Sequence, residues 1–196
     1  TPVSAFLNID KGGSAFLLES VEGGEKWGRY SFLGVEPRVI FKAKGEDAEI
    51  IIDGQRHTKK GDPITILKEV ISRYKPVIYD DTLPRFYGGA VGYIGYDMVR
   101  FFEDLPNIAT SDIDIDDAFF IITDTVLVFD TLEHKIKVIA NAFVADGDDP
   151  AHVYKKAVEK IDEMVDRLRN EGRRQKAEGR RKNELFNFSQ CTSPKD

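Results

Sequence analysis

SAFLLESVEGGEKWGRYSFLG, residues 14–34, decides how the chain folds. Ser14, Phe16 and Leu18 alternate with Ala15, Leu17 and Glu19, and apolar residues fill most of both sets, as in a mostly buried strand. Gly23-Gly24 supplies a turn that reaches positive φ at little steric cost. Arg29-Tyr30-Ser31-Phe32-Leu33 then resumes an extended pattern. Paired as a hairpin, the two strands bring an acid (Glu19), a hydroxyl (Ser20) and a guanidinium (Arg29) to one sheet edge. Such a trio offers matched partners to the ammonium and carboxylate of a free amino acid. The same spacing also fits turn residues beside a solvated arginine, and both readings stand at this point.

Strands flank this hairpin. Val3 to Leu7 is a short apolar run expected to be a strand, followed by a Lys11-Gly12-Gly13 turn. Arg38 to Lys44 alternates, Ala48 to Ile52 follows, and Asp53-Gly54 turns the chain into a return strand, Gln55 to Lys59. Such closely spaced strands predict an antiparallel meander. The period then changes. Asp62-Pro63 opens a helix, with Asp as N-cap and Pro in the first turn. Ile64, Leu67, Val70, Ile71 and Tyr74 give that helix one apolar stripe. Gly89, Gly92 and Gly95 recur through FYGGAVGYIGY without the Gly-Lys-Ser/Thr of a phosphate loop. Glycine here predicts a strand that something bulky approaches closely. Tyr96 to Glu103 has a short helical pattern. Ala118 to Asp130 and Lys135 to Ala145 read as the two strongest strands, joined through Thr131 to His134. Asp149-Pro150 opens a second amphipathic helix, expected to run to about Asn170. Beyond it lies a basic run without an apolar period.

Composition narrows the function. The chain has 196 residues, 41% of them hydrophobic and 32% charged, with a net charge of -6. That balance suits an ordinary globular chain and argues against general nucleic-acid binding. No apolar run approaches membrane-spanning length, so no membrane partner is expected. The opening TPVSAFLNID lacks a basic segment and a long apolar core, so it is not read as a signal peptide. Without an initiator Met, a processed or cut chain is expected. Cys191 is alone, which excludes an internal disulfide and fits a reducing, cytoplasmic setting. Asp112, Asp114 and Asp116 mimic a calcium loop, but Asp117 stands where glycine is required and Thr123 where an acid is. They are read as a polar connector. His57, His134 and His152 have no ligand spacing and form no Ser/His/Asp set.

Four stretches, TPVSAFL, SAFLLESVEGGEKWGRYSFLG, YGGAVGYIGYDMVRFFEDLP and FIITDTVLVFD, together resemble the N-terminal region of anthranilate synthase component I. The sister enzyme, aminodeoxychorismate synthase component I, shares the first long stretch. A non-catalytic amino-acid-binding module is a third reading. The resemblance implies an α+β fold of mainly antiparallel layered sheets with helices packed outside. It implies a regulatory domain over residues 1–170, then a basic linker or tail over 171–196. The family makes anthranilate and pyruvate from chorismate, with ammonia from a glutamine amidotransferase subunit. It uses Mg²⁺ in its catalytic half, and none is expected in this chain. Its Leu-Leu-Glu-Ser motif belongs to a feedback site for L-tryptophan and stands here as Leu17, Leu18, Glu19 and Ser20. The matching basic residue is Arg29. The catalytic half would begin near Asn187-Phe188-Ser189, where QCTSPKD departs from the pattern. The 196 residues are therefore expected to be a fragment that does not turn over chorismate. Its bare apolar surface is expected to allow self-association.

Overall fold

A computed structural model describes residues 1–19, 28–76, 82–106 and 113–169. The chain begins with a helix, α1 (Pro2–Ile9), where the sequence reading expects a strand. Thr1-Pro2 acts as Asp62-Pro63 does. The Thr1 side chain accepts a hydrogen bond from Ser4 N–H, and Pro2 occupies the first turn, where its missing N–H costs nothing.

Among the described residues, nine strands form two antiparallel sheets. The first sheet contains β1 (Phe16–Leu18), β2 (Tyr30–Gly34), β8 (Thr125–Asp130) and β9 (Lys135–Ala140), in that spatial order. The second has the order β5-β4-β3-β7-β6, with β3 (Val39–Lys44), β4 (Asp47–Ile52), β5 (Gln55–Lys60), β6 (Ala90–Ile94) and β7 (Ala118–Ile122). The meander β3-β4-β5 is as the sequence predicts. Its Asp53-Gly54 turn has φ of 48° and 83°, the two positive values that suit the right-handed twist of a tight hairpin. The run 118–130, expected as one strand, is two. Thr123-Asp124 interrupts it, and its halves enter different sheets. Both halves are interior strands covered on two faces, so their shared apolar character hides the break.

Each sheet has its own core. α2 (Pro63–Ser72) lays Ile66, Leu67 and Val70 over Val39, Phe41, Ala43, Ala48, Ile50, Ala118 and Ile122. Its buried stripe includes Ile66, while Ile71 of the expected stripe is exposed. Met98, in the 3-10 helix Tyr96–Phe101, completes this cluster. The other sheet buries Leu33 and Leu127 against Ala5 and Ile9 of α1 and Met164 of α3, the helix over residues 150–169. Arg167 of α3 hydrogen-bonds both oxygens of Glu36, at 3.2 and 3.4 Å, and Lys11 reaches Glu36 at 3.0 Å. These contacts link α3 and the segment just after α1 to the β2–β3 loop. The tail lies outside the described residues, as does the Gly23-Gly24 turn.

Asp62 accepts hydrogen bonds from Ile64 N–H, Thr65 N–H and the Thr65 hydroxyl. The Thr65 hydroxyl does most to hold its carboxyl below the usual range. Asp62→Ala is expected to cost about 1 kcal/mol, the usual worth of an N-cap. A melting temperature lowered by roughly 2–4 °C checks this.

Candidate functional site

β1 is a short edge strand, and its end carries the predicted site. Its register sets Phe16 against Gly34, Leu17 against Leu33 and Leu18 against Phe32. Residues opposite one another share a face. Leu17 therefore lies with Leu33 on the helix-covered side, where it packs against the core of α1 and α3. Leu18 lies with Phe32 on the other side and is 44% exposed. Glu19 follows it and is exposed. Ser20 lies outside the described residues.

Beside Leu18 is an aromatic group that sequence reasoning missed. The Phe86 ring meets Phe32 edge-on at 5.3 Å and Phe16 at 6.2 Å. Tyr30 lies 6.0 Å from Phe32. Gly34 makes room for the group, since a Cβ there would fall 2.3 Å from the Phe16 ring. Alternation within β2 already puts Tyr30 and Phe32 on one face. Phe86 comes from a distant loop, and no local pattern announces it.

Arg29 stands at the foot of β2 and is already engaged. Its Nε donates to Asp130 Oδ1 at 3.0 Å and its Nη2 to Oδ2 at 2.6 Å, a two-point fork. Nη2 also reaches Glu133 at 3.2 Å, and the guanidinium carbon sits 4.8 Å from the Tyr30 ring centre. Asp130 accepts two further bonds on Oδ1, from Leu132 N–H and Glu133 N–H. The hydrogen bond from Arg29 is the main cause that holds the Asp130 carboxyl down at about 2, and the two backbone bonds add to it. Burial works in the opposite direction and is outweighed. For a ligand carboxylate, Nη1 is the guanidinium nitrogen with no hydrogen bond to the described residues.

The structure thus places Leu18 and Glu19 together at the open end of β1, with Arg29 tied to the β8–β9 turn. Among the described residues no group of three or more His, Cys, Asp or Glu side chains could hold a metal ion. Asp114 pairs with Lys44, and Asp117 accepts from Gly45 N–H at 2.7 Å. Asp112 lies outside the described residues. His57, His134 and His152 are exposed. No helix among the described residues is long and apolar enough to cross a membrane.

The two-sheet scaffold matches the crystal structure of anthranilate synthase component I from Streptococcus pneumoniae TIGR4, with a TM-score of 0.55 and 27% identity, over 84% of this chain and 34% of that one. Its class is therefore the mixed α+β fold of that enzyme component. Among curated proteins, anthranilate synthase component 1 of Acetivibrio thermocellus is 40% identical over 162 residues, which is 82% of this chain and 32% of the relative. That of Aquifex aeolicus is 37% identical over 174 residues, 88% of this chain and 35% of the relative. The chain belongs to the anthranilate synthase component 1 family and spans about a third of the length of these relatives. No protein-family model matches it.

Proposed function

We propose that this chain is the L-tryptophan-sensing N-terminal part of an anthranilate synthase component I. In this reading the whole enzyme converts chorismate and ammonia to anthranilate and pyruvate. The ammonia comes from a glutamine amidotransferase subunit, and chorismate and Mg²⁺ are held by the part of the polypeptide that this chain does not span. One observation supports the proposal: Leu17, Leu18 and Glu19 of the Leu-Leu-Glu-Ser motif stand at the end of β1 in a chain 40% identical to a component 1 protein. Glu19 takes the ammonium of tryptophan, and Ser20 hydrogen-bonds a polar end. Leu18 and the aromatic group behind it meet the indole, an apolar body held by a few fixed polar groups. Arg29 contributes to the carboxylate through the part of its guanidinium that Asp130 leaves open. Binding inhibits by favouring an inactive arrangement of the enzyme.

The test joins this segment to the remaining two-thirds of the Acetivibrio thermocellus relative, in place of the segment it matches. Anthranilate fluorescence is followed as L-tryptophan is added. Loss of a hydrogen bond to a charged group costs about 1.5–3 kcal/mol, so Ser20→Ala is expected to raise the half-inhibiting concentration roughly ten- to hundredfold. Turnover without tryptophan changes little. Full sensitivity in the Ser20→Ala enzyme would show that the site lies elsewhere.

A further inference from the structure

Residues 82–89 form neither helix nor strand, yet two side chains hold them in place. Lys137 Nζ, on β9, donates to the Thr82 carbonyl at 3.1 Å. Asn141 Nδ2, just beyond β9, donates to the Tyr87 carbonyl at 2.7 Å. The Asn141 backbone is fixed as well, because its N–H donates to the Asp124 carbonyl at 2.7 Å. Gly88 admits the amide, since a Cβ there would fall 2.8 Å from Asn141 Nδ2. The strand register shows where this segment lies. Lys137 stands opposite Val128, and Val128 opposite Phe32, so the three share one face of the first sheet. Val126 and Val128 on that face are fully buried. The segment brings the Phe86 ring edge-on to Phe32, and Phe32 is the cross-strand partner of Leu18.

We propose that Asn141 is a positioning residue for the bound amino acid: by fixing the Tyr87 carbonyl it holds the Phe86 ring where the ligand side chain on Leu18 meets it. The inference rests on the tryptophan-sensing reading of the β1 end. Glu19 and Ser20 meet groups that every free amino acid carries, so the side chain has to be recognised by the apolar wall. Leu18, Phe32 and Tyr30 in that wall are set by strand pairing. Phe86 is not, and its place depends on what anchors its segment. Aromatic rings attract one another only in edge-on or offset arrangements, so a ring that drifts loses the contact. Asn141 holds the residue next to Phe86 through a part-buried bond, whereas Lys137 holds a more distant residue through an exposed one.

The test uses the same joined enzyme and reads the half-inhibiting concentration of L-tryptophan. Phe86→Leu removes the ring and is expected to raise it roughly two- to tenfold, the worth of one aromatic pair. Phe86→Tyr keeps the ring and is expected to keep the sensitivity. Asn141→Ala is expected to raise the concentration by no more than Phe86→Leu does. The double variant decides: a residue that acts through Phe86 adds nothing once that ring is gone, whereas an independent structural loss multiplies. In the chain itself, Asn141→Ala is expected to weaken the nuclear Overhauser contacts between the Phe86 and Phe32 rings. Should Asn141→Ala fail to fold, Asn141→Ser takes its place in both comparisons. Unchanged ring contacts overturn the proposal, as do multiplying effects in the double variant. Ser20→Ala, measured alongside, separates the two readings. If it loses sensitivity while Phe86→Leu does not, this inference alone falls. If it stays fully sensitive, both fall.

Discussion

Asp130→Ala is expected to melt roughly 10 °C below the unmodified chain, the effect of about 3 kcal/mol in a protein of this size. The Asp130 side chain is fully buried, while its partner Arg29 is 30% exposed. Removing one member of a buried pair costs about 3–5 kcal/mol when the remaining charge is trapped. Here the guanidinium can turn toward water, which puts the loss at the lower end. Leu132 N–H and Glu133 N–H also lose their acceptor. Asp130→Asn keeps an oxygen for them and is expected to lose less. The sign with pH follows from the carboxyl, held at about 2 in the fold against 3.8 ordinarily. Its contribution is fully present above the ordinary value and fades as pH falls toward 2. The gap in melting temperature between Asp130→Ala and the unmodified chain is therefore widest near neutrality and narrows in acid. A gap that stays constant from pH 6 to pH 2 would show that the ion pair is not its source.

Gly92→Ala is expected to cost roughly 3 kcal/mol, at the upper end of overpacking losses. A methyl group there would lie 1.9 Å from the Phe119 carbonyl oxygen and 2.6 Å from the Phe120 Cα. Both are backbone atoms of β7, an interior strand that cannot step aside. β6 must therefore move away, and its pairing with β7 goes with it. Gly34 differs, because its nearest obstacle is the Phe16 ring, a side chain that can turn. Thermal melts together with amide exchange in β6 check the prediction. A Gly92→Ala chain that melts within a degree of the original would mean that the two backbones are not in such close approach.

That close approach is legible in the sequence, because a repeated glycine inside a strand pattern has few other causes. The helices opened by Asp62-Pro63 and Asp149-Pro150 were legible for a similar reason, since a cap and a proline act on their immediate neighbours. Thr1-Pro2 carries the same signal. There the short apolar run Val3 to Leu7 suggested a strand, and the cap was the better guide. The division of 118–130 could not be read, because a strand buried on both faces has no alternation to break. In the candidate site, the placing of Leu18 and Glu19 side by side at a strand end is legible in one stretch. The bond between Arg29 and Asp130 joins positions 101 residues apart, and local pattern is blind to such a pairing. Phe86 escaped for the same reason.

The break at Thr123-Asp124 also governs the order in which the molecule can be made. β7 lies between β3 and β6, and β8 between β2 and β9, so one short run supplies an inner strand to both sheets. A nascent chain that has emerged only as far as the 3-10 helix holds β1 to β6 with neither inner strand, and β6 then has no neighbour. Closing the sheets brings together segments some eighty to a hundred residues apart, the kind of distant pairing that slows folding and leaves apolar strands open meanwhile. The five-stranded sheet must therefore wait for residue 122 to leave the ribosome and the other for residue 130, and during that wait the unfinished chain depends most on whatever shields it from its neighbours.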